Sequence, residues 1–231
     1  MITIRAAEDR GHNQEEWLET HHTFSFHTYY DPEQIGYSDL RVINEDTVAA
    51  RRGFDMHPHQ DMEVVTLVTT GELEHQDSMG NRDVIGPYQL QRMTAGKGIW
   101  HSEVNPSPDK PVHLFQIWIY PEQKGLDPDY EIRSFSDAEK DRLTLLASPQ
   151  GAEGAAILHQ DARLYLGRYR AGSEEVIPLN PERHTWLQVI RGTLSLNGEQ
   201  VKTGDGVAIE KEAALSLRAE EESEFILFDL H

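Results

Sequence analysis

The sequence predicts an all-β protein that folds as two similar β-barrels. Short runs rich in β-branched and aromatic residues recur along the chain, and turn residues separate them. Apolar residues seldom recur at the three- and four-residue spacing of an amphipathic helix. A pattern in the first half of the chain returns in weaker form in the second half. Together these three observations favour a duplicated barrel or sandwich.

Composition limits the possible classes of function. The 231 residues include 0 cysteines, so disulfides and thiolate ligands are excluded, and any metal must accept nitrogen and oxygen donors. Acidic residues number 40 against 21 lysines and arginines, and the formal charge of -19 disfavours direct binding to nucleic acid. Neither an apolar run of about 18 residues nor a secretory signal is visible. We therefore expect a cytoplasmic protein that does not enter a membrane.

In the first half of the chain, segments rich in Val, Ile, Leu and Thr predict strands. These segments are residues 40–43, 47–49, 62–68, 89–93 and 112–120. Asn44-Glu45-Asp46 is interpreted as a turn between the first two, and Gly71 and Gly86-Pro87 as later turns. Gly96-Lys97-Gly98 allows a tight backbone turn.

A change in composition follows the last of these strands. Pro121, Gly125 and Pro128 indicate a linker. Ser136 followed by Glu139 resembles a capping box and predicts a short connecting helix. The chain therefore divides into an N-terminal barrel at residues 1–130 and a C-terminal barrel at residues 131–231.

The most informative residues are the pairs His57–His59 and His101–Glu103. Side chains two residues apart point to the same face of a β-strand, and Pro58 favours an extended chain at His57. If the two pairs faced each other inside a barrel, they would offer three imidazole nitrogens and one carboxylate oxygen. That set suits a divalent first-row metal with room for substrate or O2. The alternative interpretation is a group of surface histidines near a turn.

The second half repeats the pattern of the first without its ligands. Alignment of the two copies puts Pro178 and Asn180 at the places of His57 and His59, and no histidine near the place of His101. The second copy lacks three of the four candidate ligands. We therefore expect a metal in the N-terminal barrel and a degenerate C-terminal barrel without one.

Other residues near the histidine pairs have alternative interpretations. Residues 21–30, with the sequence HHTFSFHTYY, are interpreted as a barrel-wall strand rather than a second metal site. His75 is interpreted as a hydrogen-bonded turn residue rather than a substitute ligand. Several apolar side chains are candidates for an aromatic slot, although ordinary core is the simpler interpretation for most of them. These side chains are Phe24, Phe26, Phe54, Met56, Met93 and Trp100.

Several motifs resemble those of a known family. Residues 53–63 resemble the first cupin motif, in which a glycine precedes H-x-H and a glutamate, and residues 98–105 resemble the second. More narrowly, four segments resemble the pirin family. They are GYSDLRVINED at 36–46, HPHQDME at 57–63, LEHQDSMG at 73–80 and MTAGKGIWHSE at 93–103.

The resemblance to pirins implies a fold, a site and an activity. It implies two stacked cupin-type jelly-roll barrels, with a metal in the first held by His57, His59, His101 and Glu103. In ordinary cupins the ligating carboxylate matches Glu63, which remains an alternative to Glu103. Bacterial members imply quercetin 2,3-dioxygenase activity, whereas eukaryotic pirins are nuclear transcription cofactors that sense iron redox state.

The expected reaction is cleavage of a flavonol by O2 with release of CO. A flavonol would bind through its 3-hydroxyl and 4-carbonyl oxygens, and Glu103 is the candidate general base for the hydroxyl proton. The expected cofactor is one divalent transition metal, with Fe(II) preferred and Zn, Mn, Co, Ni and Cu as alternatives. A redox-sensing regulatory cofactor and a non-catalytic cupin that binds small molecules are the competing interpretations.

Overall fold

The computed structural model describes residues 1–231, which form almost only β-strands. Helical turns are confined to the 3-10 segments Ala7–Asp9 and Ala152–Gly154. The all-β prediction is therefore confirmed. Neither helical segment has the length or the hydropathy that a membrane-spanning helix needs.

The strands have the following bounds in chain order. The first twelve are β1 Ile2–Arg5, β2 Gly11–Gln14, β3 Leu18–His22, β4 Leu40–Val48, β5 Gly53–His59, β6 Glu63–Thr70, β7 Leu73–Asp77, β8 Arg82–Ile85, β9 Gln89–Thr94, β10 Ile99–Val104, β11 Val112–Ile119 and β12 Asp129–Ser134. The remaining ten are β13 Leu143–Ser148, β14 Ala156–Ile157, β15 Arg163–Tyr169, β16 Glu174–Pro178, β17 His184–Arg191, β18 Thr193–Leu196, β19 Glu199–Lys202, β20 Gly206–Ile209, β21 Ala214–Ala219 and β22 Ser223–Leu230.

The predicted connecting helix is wrong. A turn occupies residues 136–137, and the Ser136 hydroxyl lies 3.3 Å from that of Ser134. The segment from Asp137 to Arg142 has one small apolar residue and so no apolar face with which to pack. A single helical turn is unstable in water without such packing.

The predicted turn at residues 44–46 is also wrong, because β4 runs through it without interruption. Asn44 pairs with Gln116 of β11 and His22 of β3, and Asp46 pairs with Leu114 and Thr20. The polar residues that suggested a turn are strand residues.

The chain forms two compact units. One unit comprises residues 11–136 and 156–160, and the other comprises residues 1–10, 137–155 and 161–231. The first ten residues, which the sequence analysis places in the N-terminal barrel, belong to the second unit because β1 pairs with β20. Strand pairing over such a sequence distance is not encoded in the local pattern of β1.

The first unit is a barrel made from two sheets. The larger sheet has the strand order β12-β9-β6-β11-β4-β3-β2, and the smaller has the order β5-β10-β7-β8. Apolar residues from both sheets form the core between them. One such cluster comprises Val48, Val68, Leu73, Ile85, Val112 and Leu114.

The second unit repeats this arrangement. Its larger sheet contains the order β1-β20-β17-β22-β15-β13, and its smaller sheet has the order β16-β21-β18-β19. Strands β16 and β21 therefore take the places of β5 and β10. β21 carries no His, Asp or Glu, and neither of the two clusters of potential metal ligands lies in this unit.

Candidate metal centre

Three histidines converge in the first unit. His57 and His59 lie on β5, and His101 lies on β10 directly opposite His57. The ring centroids of His57 and His101 are 4.4 Å apart, and those of His59 and His101 are 4.8 Å apart. One ligand atom from each ring lies within 4.8 Å of the other two.

The pairs lie side by side rather than on opposite walls of a barrel. β5 and β10 are antiparallel neighbours in the smaller sheet. Residues opposite each other on neighbouring antiparallel strands project from the same face, so His101 joins the face that carries His57 and His59. The expectation that the two pairs face each other across a barrel is therefore corrected.

The free ring nitrogens fit a metal. His59 is 8% exposed and His101 is 0% exposed, and the Nε2 atom of each is buried without a hydrogen-bond partner. His57 Nδ1 lies 2.7 Å from the Asp55 carbonyl oxygen, which leaves its Nε2 available. Buried polar atoms normally have partners, so unpaired nitrogens that converge on one point fit a shared metal ion. Nitrogen donors of this kind suit divalent transition metals.

The electrostatics keep these imidazoles neutral. Burial, together with the neighbouring His101 and His57, lowers the pKa of His59 to about 3. Burial likewise lowers the pKa of His101 to about 3, aided by His57 and His75. A neutral imidazole keeps the lone pair that metal coordination requires.

A hydrogen-bond relay fixes the ring of His101. Its Nδ1 lies 3.4 Å from His75 Nδ1, which also lies 3.2 Å from Gln91 Nε2. Because the Gln91 amide donates there, His75 Nδ1 is an acceptor and His101 Nδ1 carries the proton. His75 Nε2 then donates to Asp77 Oδ2 at 3.2 Å. The relay leaves His101 Nε2 deprotonated towards the cluster, as a ligand must be.

His75 is thus a buried residue of β7 and not a turn residue. Burial would raise the pKa of Asp77, but hydrogen bonds from Asn81 and His75 hold that pKa below its usual value. The carboxylate at the end of the relay therefore stays ionised.

Glu103 lies near the histidines but outside the cluster of converging atoms. Its side chain is 1% exposed, and its negative charge opposes the lowering of the pKa of His59. Oε1 accepts a hydrogen bond from Thr66 Oγ1 at 3.2 Å, and Oε2 accepts one from Gln116 Nε2 at 2.6 Å. The Trp118 indole donates to Gln116 Oε1 at 3.1 Å. Because an indole can only donate, it orients the Gln116 amide with its NH2 group towards Glu103.

Glu63 is not brought to the histidines. Its carboxylate is fully buried, with Oε1 3.4 Å from His159 Nδ1 and Oε2 within 3.5 Å of the His159 backbone N–H. Burial raises the pKa of Glu63, although Thr94, His159 and Arg92 oppose that shift. The carboxylate beside the three histidines is that of Glu103.

A cavity of about 580 Å³ adjoins the cluster. This volume falls within the roughly 300–1,000 Å³ of small-molecule sites. One part of its wall is apolar, and comprises Trp17, Leu18, Phe26, Phe54, Met62 and Trp118. The other part is polar, and includes Thr20, His22, Asn44, Asp46, Glu103 and Gln116, together with His57 and His59.

The predicted aromatic slot is only partly correct. Phe26 and Phe54 line the cavity. Phe24 is 2% exposed and Met93 is 0% exposed, and neither lines the cavity. Met56 and Trp100 are 46% and 52% exposed, because alternation along β5 and β10 turns them away from the histidine face.

Comparison with known proteins identifies the family. The profile described as Pirin matches residues 3–119, and the profile described as Quercetinase C-terminal cupin domain matches residues 145–230. The chain belongs to the pirin family. Two cupin domains, as predicted, are therefore confirmed.

Relatives cover the whole length of this pirin-family chain. A protein of Escherichia coli K12 named quercetin 2,3-dioxygenase is 46% identical over 230 residues, covering 100% of this chain and 99% of the relative. A crystal structure of the bacterial pirin YhhW from Escherichia coli in complex with nickel(II) matches with a TM-score of 0.95 and 45% identity, covering 100% of this chain and 99% of that one. A quercetin 2,3-dioxygenase structure from Acinetobacter baumannii shares the fold at a TM-score of 0.81 with 21% identity, over 96% of this chain and 85% of that one.

Sequence reasoning missed the polar side of the cavity. The sequence pattern predicts a turn at Asn44 and Asp46, and Gln116 lies inside an apolar strand, yet all three line the cavity. The available signal is their spacing. A polar residue at every second position, or one glutamine in an otherwise apolar run, indicates a strand whose inner face lines a cavity.

Proposed function

We propose that this chain is a metal-dependent dioxygenase that cleaves flavonols such as quercetin with O2 and releases CO. The observation that carries this proposal is the convergence of three imidazoles, two with buried unpaired Nε2 atoms, beside a cavity that also holds Glu103. The name of the relative from Escherichia coli K12 supports the substrate class.

We assign His57, His59 and His101 as ligands and Glu103 as the fourth. A divalent transition metal held by these residues would supply Lewis acidity towards substrate oxygens and, for a redox-active metal, electron transfer with O2. The relay through His75 and Asp77 keeps the proton on His101 Nδ1, so that Nε2 keeps the lone pair that a metal ion needs.

We propose that Glu103, once it loosens from the metal, takes the proton of the substrate hydroxyl as general base. Its two hydrogen-bond partners tolerate both protonation states. The Thr66 hydroxyl donates to ionised Oε1 and, by rotating, accepts from the same oxygen once it is protonated. The Gln116 amide continues to donate to Oε2, which becomes the carbonyl oxygen of the acid. The proton therefore has a defined place on Oε1.

The cavity suits a flat polyphenol. Trp17, Phe26 and Phe54 offer apolar faces to the aromatic rings of the substrate. The polar part of the cavity wall offers hydrogen-bonding groups for its hydroxyls. Burial raises the pKa of Asp46 to about 7, so below that pH its carboxyl group can donate as well as accept a hydrogen bond.

The experiment compares metals and variants in one assay. The full chain is stripped of metal, reloaded separately with Fe(II), Mn, Co, Ni, Cu and Zn, and mixed with quercetin while flavonol absorbance and O2 are recorded. We expect metal-dependent loss of both signals, with Fe(II) among the active metals. His57→Ala should lose metal and turnover together, because it removes one metal ligand. His57 is half-buried, so its removal leaves no large cavity in the core.

The control is His184→Ala, which removes an imidazole that is 47% exposed in the other unit and should change neither property. Glu103→Gln, at saturating metal, should lower turnover by about 10²–10⁴-fold, the usual contribution of a general base. Turnover without bound metal would contradict the proposal. Metal and quercetin binding without turnover would instead support a regulatory or binding cupin.

A further inference from the structure

A second group of metal-ligating side chains lies on the edge of the larger sheet in the first unit. His12 on β2 is directly opposite His21 on β3. Glu19 is two residues before His21 on the same strand and shares its face. All three side chains therefore project from one face of the pair β2-β3.

The distances within this group approach those of a chelating site. The rings of His12 and His21 stack with centroids 4.4 Å apart and an interplanar angle of 14°. His12 Nε2 lies 3.4 Å from Glu19 Oε1, and one ligand atom of each residue lies within 4.8 Å of the other two. Bonds of about 2.0–2.1 Å to a tetrahedral ion separate the ligands by roughly 3.4 Å. His12 and Glu19 are 46% and 45% exposed, so their side chains have room to rotate towards a shared ion.

The donor set defines the class of ion. Two imidazole nitrogens and one carboxylate oxygen suit borderline divalent ions such as Zn²⁺, Ni²⁺ and Cu²⁺, with water in the remaining positions. The chain's charge of -19 favours the approach of any cation. The next strand adds Glu45 opposite His21, although its carboxylate lies 3.1 Å from His113 Nε2.

We propose that His12, Glu19 and His21 form a second divalent-cation site, separate from the cluster of His57, His59 and His101. An ion bound there joins β2 to β3. β2 ends the strand order of its sheet and pairs only with β3, so it is the strand that such a link would hold most.

The proposed site lies behind a wall of the cavity. On the opposite face of the same two strands, Asn13, Thr20 and His22 line the cavity. An ion on the outer face therefore limits the movement of the wall that a cavity ligand contacts. This consequence depends on the two strands alone and not on the proposed reaction.

The test counts bound metal. Metal-free full-length chain is titrated with Zn²⁺ against a chromophoric chelator, and the number of equivalents bound is compared with that of the double variant His12→Gln/His21→Gln. We expect the variant to bind one equivalent fewer. His184→Gln, another exposed imidazole beside a carboxylate, should bind as many equivalents as the wild type.

A second variant separates the two sites. Because His57→Ala removes a ligand of the other cluster, it should keep the equivalent that the double variant loses. Glu19→Gln keeps both histidines and should lower the affinity of this site for Zn²⁺ about tenfold or more. If the double variant binds as many equivalents as the wild type, the proposal is overturned, whatever the outcome of the quercetin assay.

Discussion

At the scale of single residues, polar groups inside the first barrel are held by partners that leave only one orientation. The Trp118 indole orients the Gln116 amide, and that amide donates to Glu103. Gln116 and Glu103 are buried, so an unmet hydrogen bond at either of them would be costly. The orientation of the Gln116 amide towards Glu103 therefore comes from the donor-only indole two residues along β11.

Asp46 gives a prediction at this scale. Burial raises its pKa from 3.8 to about 7, and the charges of Glu103 and Glu45 add to the shift. A raised carboxyl pKa leaves stability undiminished below pH 3.8 and lowers it progressively as pH rises towards 7. Asp46→Asn removes that loss, so the variant should gain stability over the wild type by about 2–4 kcal/mol at pH 8 and far less at pH 4. Urea unfolding at both pH values measures this difference, and an equal effect at both would contradict it.

At the scale of elements, one four-stranded sheet carries the four candidate ligands together with His75 and Asp77, which orient His101. His101 of β10 pairs with His57 of β5 on one side and with Asp77 of β7 on the other. A ligand and the groups that orient it therefore come from three adjacent strands, whose registers fix their spacing. Such support matters because a loosely held imidazole loses metal affinity.

The relay gives a prediction at this scale. Asp77→Asn keeps the size of the side chain but places an amide where His75 Nε2 donates, so the tautomer of His75 and then of His101 loses its support. We expect affinity for metal at the histidine cluster to fall about 10–100-fold. Competition with a chelator measures the affinity, and the melting temperature of the metal-free variant shows whether the fold is kept. Asp127→Asn, an exposed aspartate paired with Lys97, serves as control and should bind metal normally.

At the scale of the whole molecule, the two units share a strand order but differ in the residues that their smaller sheets carry. The first unit uses its smaller sheet to present histidines, whereas the matching strands β16 and β21 present none. The second unit instead packs a continuous apolar core that includes Leu187, Val189, Leu194, Leu215 and Phe225. A shared architecture therefore does not imply a shared site.

The stability of the metal-free protein should depend on pH through its buried imidazoles. The pKa values of His59 and His101 are lowered from 6.5 to about 3 in the folded chain. Below pH 6.5 the unfolded chain takes up protons that the folded chain does not, so stability falls as the pH decreases towards 3. We expect a loss of about 2–4 kcal/mol for each imidazole over that range. Denaturant unfolding from pH 7 to 4 measures it, and His59→Gln should show a shallower dependence. An equal slope in that variant would contradict the assignment.

Local sequence patterns suffice to predict the all-β class, the pirin family and the candidate ligands. Alternation with a period of two is a local property, so His57 and His59 share a face wherever β5 lies. The motifs around His101 and Glu103 are likewise contiguous. The repeat in the second half was readable because similar turns follow similar strands.

The tertiary structure alone decided which strands are neighbours. β5 and β10 pair side by side, β1 pairs with β20, and His12 meets His21 only because β2 folds back on β3. It also decided that residues 44–46 form a strand and residues 136–139 do not form a helix. Local preference is weak, at most about 1 kcal/mol per residue, and burial against distant residues exceeds it. Contacts between residues far apart in the chain are therefore what place Glu103, Gln116 and Asp46 in one cavity.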